Sequence, residues 1–135
     1  MSKAAVVYWS GTGNTEAMAN AIAEAAAAQL FTAADFDAAK VADYDVIAFG
    51  CPSMGAEELE ESEFAPMFEA CKPALNGKRI ALFGSWGWGE GAWMETWRAD
   101  CEAAGAVLVA DPVICQETPD DDALAACRAL GQAIA

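Results

Sequence analysis

The sequence predicts an α/β fold: an open, doubly wound parallel sheet of five strands with helices on both faces. Two observations predict it. Short apolar segments, each closed by a glycine or a turn, alternate with helix-forming segments, and their nearly continuous hydrophobicity is typical of strands buried on both faces. The chain has 135 residues, of which 56% are hydrophobic. That length and composition suit one domain with one core over residues 1–135.

The predicted strands are the apolar segments. The first, third and fourth cover residues 4–9, 45–50 and 79–84, and each is apolar almost throughout. A final strand region covers 106–110 and 112–115. The segment 30–36 is a weaker candidate for the second strand.

The predicted helices cover 15–29, 64–72, 92–104 and 120–134. The third places Trp93, Trp97 and Cys101 at intervals of four residues, so they share one apolar face, and Gly105 supplies a stop. Between the second and third strands a helix is predicted to be weak or absent. The resulting order, strand-helix-strand-strand-helix-strand-helix-strand-helix, is that of a doubly wound sheet.

The charge and the residue types exclude several functions. There are 21 acidic and 7 basic residues, for a net charge of −14, which argues against nucleic acid and anionic membrane as partners and favours a basic protein. Solubility alone would explain the acidity equally well. The chain has no histidine, and its five cysteines form no C-x-x-C pair. We therefore expect no metal site, no Ser-His or Cys-His chemistry, and reduced cysteines that fill the core.

The beginning of the chain and its hydropathy predict the compartment. No apolar segment approaches the roughly 20 residues of a membrane span, and the first residues lead directly into a strand without the regions of a signal peptide. The expected location is the cytoplasm.

Ligands of such sheets bind beyond the carboxyl ends of the strands, so the candidate binding residues are those that follow each strand. After the first strand, Ser-Gly-Thr-Gly-Asn-Thr at 10–15 opens into a helix and predicts a phosphate cradle without a lysine. The segments 51–58 and 85–91 bring Met54, Trp86 and Trp88 on glycine-rich loops to the same edge. Large apolar groups in that position favour a flat aromatic ligand.

Three segments in register resemble the short-chain flavodoxins of anaerobic bacteria, of the clostridial and Megasphaera type: YWSGTGNTEAMA at 8–19, GCPSMGAEELEESEFAPMFE at 50–69 and ALFGSWGWGEGAWMETW at 81–97. The resemblance implies strand order 2-1-3-4-5 and non-covalently bound FMN. It further implies a low-potential one-electron carrier, not an enzyme, that cycles mainly between semiquinone and hydroquinone. Such a carrier is expected to be a monomer whose acidic flavin edge docks basic-faced redox proteins.

The resemblance also assigns roles to residues. The cradle would bind the FMN phosphate, Met54 and Trp88 would flank the isoalloxazine ring, the Gly55 backbone would face flavin N5, Glu57 would contact N3, and the segment 85–89 would complete the pocket. No catalytic residue is implied. The cofactor-binding residues implied are Ser10, Gly11, Thr12, Gly13, Asn14, Thr15, Ser53, Met54, Gly55, Ala56, Glu57, Ser85, Trp86, Gly87, Trp88 and Gly89.

The sequence departs from the family pattern at three places. Trp86 replaces an expected Tyr, Glu117 replaces an expected Asn, and the stretch between the first helix and the third strand is several residues short. The alternative function is an FMN-dependent NAD(P)H:quinone reductase on the same fold. No basic residue is placed to hold the phosphates of a nicotinamide dinucleotide, which favours the carrier.

Overall fold

The core of the molecule is a parallel β-sheet. The structure is a computed structural model, which describes residues 3–11, 13–53, 60–86 and 91–135. All the described strand pairs are parallel, and the order is β2-β1-β3-β4-β5, with β6 also paired to β4. The predicted fold class and strand order are confirmed. The strands are β1 (Ala4–Tyr8), β2 (Gln29–Thr32), β3 (Val46–Gly50), β4 (Arg79–Trp86), β5 (Val107–Leu108) and β6 (Val113–Gln116).

Helices cover both faces of this sheet. The four predicted helices are present with ends within three residues of the predicted ones. The connection from β2 to β3, predicted to hold little or no helix, consists of a single 3₁₀ turn at Ala33–Asp35 and one four-residue helix. The helices are α1 (Asn14–Ala26), α2 (Ala38–Val41), α3 (Phe64–Cys71), α4 (Ala92–Ala103) and α5 (Asp121–Ile134).

The far edge of the sheet is interrupted. The predicted final strand region forms two short strands, of which β5 pairs with Arg79 and Ile80, and β6 pairs with the last four residues of β4. This second pairing extends β4 to Trp86, two residues beyond the predicted end, because ladder hydrogen bonds to β6 keep the chain extended. At the opposite edge β2 is shorter than predicted and ends at Thr32.

The side chains of the central strands alternate between two apolar layers. Ala5 and Val7 face one layer, which α3 and α4 cover, whereas Ala4 and Val6 face the other, which α1 and α5 cover. Burial of both faces accounts for the nearly continuous hydrophobicity of these strands.

Aromatic side chains dominate the layer under α3 and α4. Phe64 and Phe68 stack with ring centroids 6.1 Å apart, and Trp97 meets them edge-on at 5.5 and 5.7 Å. Trp93 is 1% exposed and Trp97 is 3% exposed, so the prediction that both are core residues of their helix is confirmed. All five cysteines are free; four are buried and Cys115 is half-buried, as expected for reduced core residues.

Candidate functional site

The carboxyl ends of β1, β3 and β4 lie side by side, so the segments that follow them meet at one edge of the sheet. The predicted site residues that the structure describes there are Ser10, Gly11, Gly13, Asn14, Thr15, Ser53, Ser85 and Trp86. The other predicted site residues, Thr12, Met54, Gly55, Ala56, Glu57, Gly87, Trp88 and Gly89, lie outside the described residues.

The segment after β1 turns tightly into α1. The Ser10 hydroxyl accepts a hydrogen bond from the Gly13 N–H at 3.0 Å, which closes the turn. Gly13 has a φ of 92°, a left-handed conformation that glycine adopts without steric cost, and it caps the helix without a side chain. The first N–H groups of α1, with the positive end of its dipole, therefore lie at this edge, an arrangement suited to a phosphate group.

Two hydroxyls join the start of α1 to the end of β4. Thr15 Oγ1 and Ser85 Oγ lie 3.1 Å apart, and these side chains are 1% and 4% exposed. The carbonyl of Ser85 accepts a hydrogen bond from the Ser53 N–H at 3.0 Å. Ser85 thus ties the segment after β1 and the segment after β3 to the same strand, and three predicted site residues lie together.

The first residue after β3 makes a further set of contacts. Cys51 donates its N–H to the Phe83 carbonyl at 3.2 Å and accepts the indole N–H of Trp93 at its own carbonyl at 3.3 Å. Trp93 is therefore more than a core residue, because it anchors the beginning of the segment that follows β3. The sequence carries no local sign of this bond, since its partners are 42 residues apart.

Glu60 is a residue whose role the sequence interpretation missed. An acid in an acidic segment is usually solvated, but the Glu60 side chain is 5% exposed and faces the start of α3. Its carboxylate accepts hydrogen bonds from the N–H groups of Ser62, Glu63 and Phe64 at 2.7–2.8 Å and from the Ser62 hydroxyl. Its own N–H donates to Cys51 Sγ at 3.3 Å. Glu60 caps α3 and joins it to the end of β3.

These bonds control the ionisation of Glu60. Burial by itself raises the pKa of the carboxyl group, but the hydrogen bonds from Ser62, Phe64 and Glu63 outweigh burial and lower the pKa to about 2. The carboxylate is therefore charged at neutral pH.

We expect Glu60 to contribute to the acid denaturation of the protein. Its pKa is about 2 in the folded state against 4.5 ordinarily, so its contribution to stability is complete above pH 4.5 and is lost as the pH falls towards 2. The contribution is at most about 3 kcal/mol at about 1.4 kcal/mol per pKa unit, because screening by solvent reduces it. Urea unfolding of Glu60→Gln at a series of pH values should lack this component. Glu61→Gln, at an exposed neighbour, is the control and should keep the wild-type profile.

The described part of the cradle contains no cationic side chain, and the residue that follows the cradle is an acid. Glu16 stands in the first turn of α1, and the Tyr8 hydroxyl donates to its carboxylate at 3.1 Å. Burial, this hydrogen bond and the charge of Glu16 all raise the pKa of Tyr8. Binding of an anion here consequently depends on N–H and O–H donors.

Two of the three departures from the family pattern, Trp86 and Glu117, lie next to each other. Trp86 ends β4, is half-buried against the layer under α3 and α4, and accepts the Glu117 N–H at its carbonyl at 2.7 Å. Glu117 has a φ of 56°, in the left-handed region that Asn adopts more readily than Glu. An Asn, expected from the resemblance, would suit this backbone better.

Neither a metal-binding cluster nor a membrane-spanning helix is found among the described residues. Among them no group of three or more Cys, Asp or Glu residues is placed to hold a metal ion. None of the described helices is long and apolar enough to cross a membrane.

Comparison with known proteins agrees with this geometry. The family model described as Flavodoxin matches residues 6–131. The flavodoxin of Megasphaera elsdenii is 45% identical and that of Clostridium beijerinckii 41% identical, over 96% and 86% of this chain and 96% and 88% of theirs. The solution structure of the two-electron reduced M. elsdenii flavodoxin superposes with a TM-score of 0.88 at 44% identity and covers 97% of both chains.

Proposed function

The chain belongs to the flavodoxin family and is thus an FMN-binding electron-transfer protein, and from this premise we propose that it is a low-potential one-electron carrier between larger redox enzymes. The observation that carries the proposal is the meeting of the Ser10–Gly13 turn, the start of α1 and the Thr15–Ser85 pair at the carboxyl end of the sheet. A carrier needs a tightly held cofactor at one exposed edge, and this edge offers such a place.

The residues present fit FMN. A phosphate group needs several donors, and the Ser10 and Thr15 hydroxyls with the first N–H groups of α1 supply them. A side chain at Gly13 would have no heavy atom within 4 Å, so space is open on that side of the turn. Bound FMN supplies the one-electron chemistry.

This chain's own residues bind and orient the cofactor. Ser10 and Gly13 fix the turn, and Thr15 presents a hydroxyl from the first turn of α1. We propose that Asn14, Ser53 and Trp86 complete the described part of the pocket. From the resemblance, Thr12 adds a phosphate donor, the segments 54–57 and 87–89 contact the ring, and Met54 with Trp88 excludes water from its faces.

The charges at this edge support a low potential. Glu60 is charged, and its contact with Cys51 places this negative charge beside the end of β3. The acid at the start of α1 and the exposed acids before α3 add to it. A further negative charge at this edge is therefore disfavoured, which lowers the reduction potential of a group bound there.

The proposal is tested by reconstitution and reduction. Apoprotein mixed with FMN should bind one equivalent, and anaerobic titration should give two separated one-electron steps, the yellow protein passing through a blue form. Both reduction potentials, measured against reference dyes, should be negative. Failure to bind FMN would overturn the proposal. Sustained oxidation of NAD(P)H by a quinone would indicate the quinone reductase instead.

The distribution of charge defines the kind of partner. Three bases, Lys3, Lys78 and Arg79, stand at the amino end of the sheet, where Lys3 lies 5.1 Å from the centre of the Tyr44 ring and Lys78 donates to the Tyr44 carbonyl at 2.7 Å. The described acids at the carboxyl end include Glu16, Asp35, Glu60, Glu61, Glu63, Glu95, Glu117, Asp120, Asp121 and Asp122. The molecule therefore has a negative pole at the proposed cofactor edge, and we propose basic-faced redox proteins as partners of a cytoplasmic monomer.

We expect electron transfer to a basic c-type cytochrome to slow by about tenfold or more between low and physiological salt, because the negative pole steers association. The rate is measured by stopped-flow mixing at a series of ionic strengths. Glu61→Gln combined with Glu63→Gln should flatten the dependence. The matched control, Glu24→Gln combined with Glu102→Gln, removes two charges from the last turns of α1 and α4 and should leave it unchanged. A rate that does not depend on ionic strength would mean that the acidic residues serve solubility alone.

A further inference from the structure

The buried contact between Thr15 and Ser85 is the feature on which the inference is based. The two hydroxyl oxygens are 3.1 Å apart, although the residues are 70 positions apart in sequence and belong to α1 and β4. Both side chains are almost completely buried, at 1% and 4% exposure. A buried polar pair of this kind needs its hydrogen bond, since each group would otherwise lose its interaction with water without compensation.

Ser85 is placed by the pairing of its strand, whereas Thr15 is placed by the start of a helix. Ser85 lies within β4, opposite Cys115 of β6, and its carbonyl accepts the Ser53 N–H at 3.0 Å. Thr15 is the second residue of α1, directly after the turn that begins at Ser10. The strand therefore provides a fixed reference point against which the first turn of the helix is aligned.

The direction of the bond follows from counting protons. A hydroxyl has one proton to donate and two lone pairs with which to accept. If Thr15 donates its proton to a phosphate oxygen, it can only accept in its bond to Ser85, and Ser85 must then be the donor. The result is a chain of two hydrogen bonds, from Ser85 to Thr15 and from Thr15 to the phosphate, in which each bond polarises the next.

We propose that Ser85 is a positioning residue that acts through Thr15: its hydroxyl directs the Thr15 proton to the FMN phosphate and so favours FMN over phosphate-free flavins. The inference rests on the proposed function, because it requires FMN in the cradle. In this arrangement the Ser85 hydroxyl bonds to Thr15 and not to the phosphate, which differs from the direct cofactor contact that the resemblance implies for Ser85. Its effect is therefore confined to ligands that carry a phosphate and depends entirely on Thr15.

A double-mutant cycle tests the inference. The variants are Ser85→Ala, Thr15→Ala and the double variant, and the dissociation constants of FMN and of riboflavin are measured by quenching of flavin fluorescence in the apoprotein. We expect Thr15→Ala to raise the FMN constant by about ten- to a hundredfold, as for a lost bond to a charged group, and Ser85→Ala to raise it by about three- to tenfold. The double variant should match Thr15→Ala within about twofold. The riboflavin constant should stay constant in all three.

Controls separate this role from a structural one. Thr96→Ala removes a hydroxyl that donates to the Ala92 carbonyl on the exposed face of α4, and it should change neither constant. If the fold-changes in the FMN constant of the two single variants multiplied in the double variant, Ser85 would contact the cofactor directly. Equal weakening of FMN and riboflavin by Ser85→Ala would make it a residue of the ring pocket, and no effect would leave it a structural contact; each result overturns the inference. Absence of FMN binding by the wild type would instead overturn the proposed function.

Discussion

Replacing Trp97 with alanine should lower the free energy of unfolding by about 3–5 kcal/mol, the range found when a large aromatic side chain is removed from a packed core. Trp97 is 3% exposed and meets the rings of Phe64 and Phe68 edge-on. These contacts join α4 to α3, so the cavity would separate two helices of one layer. Urea unfolding of the apoprotein measures the loss without a contribution from the cofactor.

Two further variants identify the cause. The indole N–H of Trp97 has no partner within the described part of the chain, so Trp97→Phe removes no hydrogen bond and should cost clearly less than Trp97→Ala. Trp88→Ala should behave in the opposite way, with weaker FMN binding and little change in apoprotein stability. If Trp97→Ala weakened FMN binding while Trp88→Ala destabilised the apoprotein, the roles assigned to the two tryptophans would be exchanged.

Replacing Gly84 with alanine should cost about 3 kcal/mol, at the upper end of the usual range for overpacking. A Cβ atom at this position would lie 2.2 Å from the Cys51 carbonyl oxygen and 3.0 Å from Trp93 Cζ2. The nearest obstacle is backbone, which cannot turn aside as a flexible side chain can. The same carbonyl accepts the Trp93 indole N–H, so a shift of Cys51 would also disturb that bond.

The Gly84 variant should also bind FMN more weakly, because the residues after Cys51 begin from a displaced position. Gly77→Ala is the matched control: Gly77 has a φ of 77° but no heavy atom within 4 Å of its added Cβ. It should therefore cost only the backbone strain, about 1 kcal/mol, and leave FMN binding unchanged. Equal losses of stability in the two variants would contradict a steric cause at Gly84.

Much of the fold could be predicted because its determinants are local. Strands such as Val46–Gly50 are apolar on both faces, and the segment from Ser10 to Gly13 contains the hydroxyl and the glycine that its turn requires. The C-terminal end of β4 could not be predicted in the same way, although its start at Arg79 was. Its last two residues are extended because β6 pairs with them from 30 residues further along the chain.

The candidate site likewise has a local part, which could be predicted, and contacts between distant residues, which could not. The phosphate cradle is a continuous segment and is visible in the sequence, whereas the bond of Trp93 to Cys51 and that of Thr15 to Ser85 join distant residues. Glu60 was misjudged because an acid in an acidic segment is usually solvated. Only its position before Ser62 and the start of α3 makes it a buried cap, and the sequence sign is an acid shortly before a helix.

The position of β1 in the sheet has a consequence for the order in which the protein assembles during synthesis. β1 is translated before the other strands of this sheet, yet it lies between β2 and β3, and its first residue pairs with Val46. α5, the last helix, packs on α1, where Gly131 approaches the carbonyl of Ile22. The layer formed by α1 can therefore be closed only after translation of nearly the whole chain. Such distant pairings slow folding relative to helical bundles, and the nascent N-terminal half exposes apolar surface that chaperones recognise.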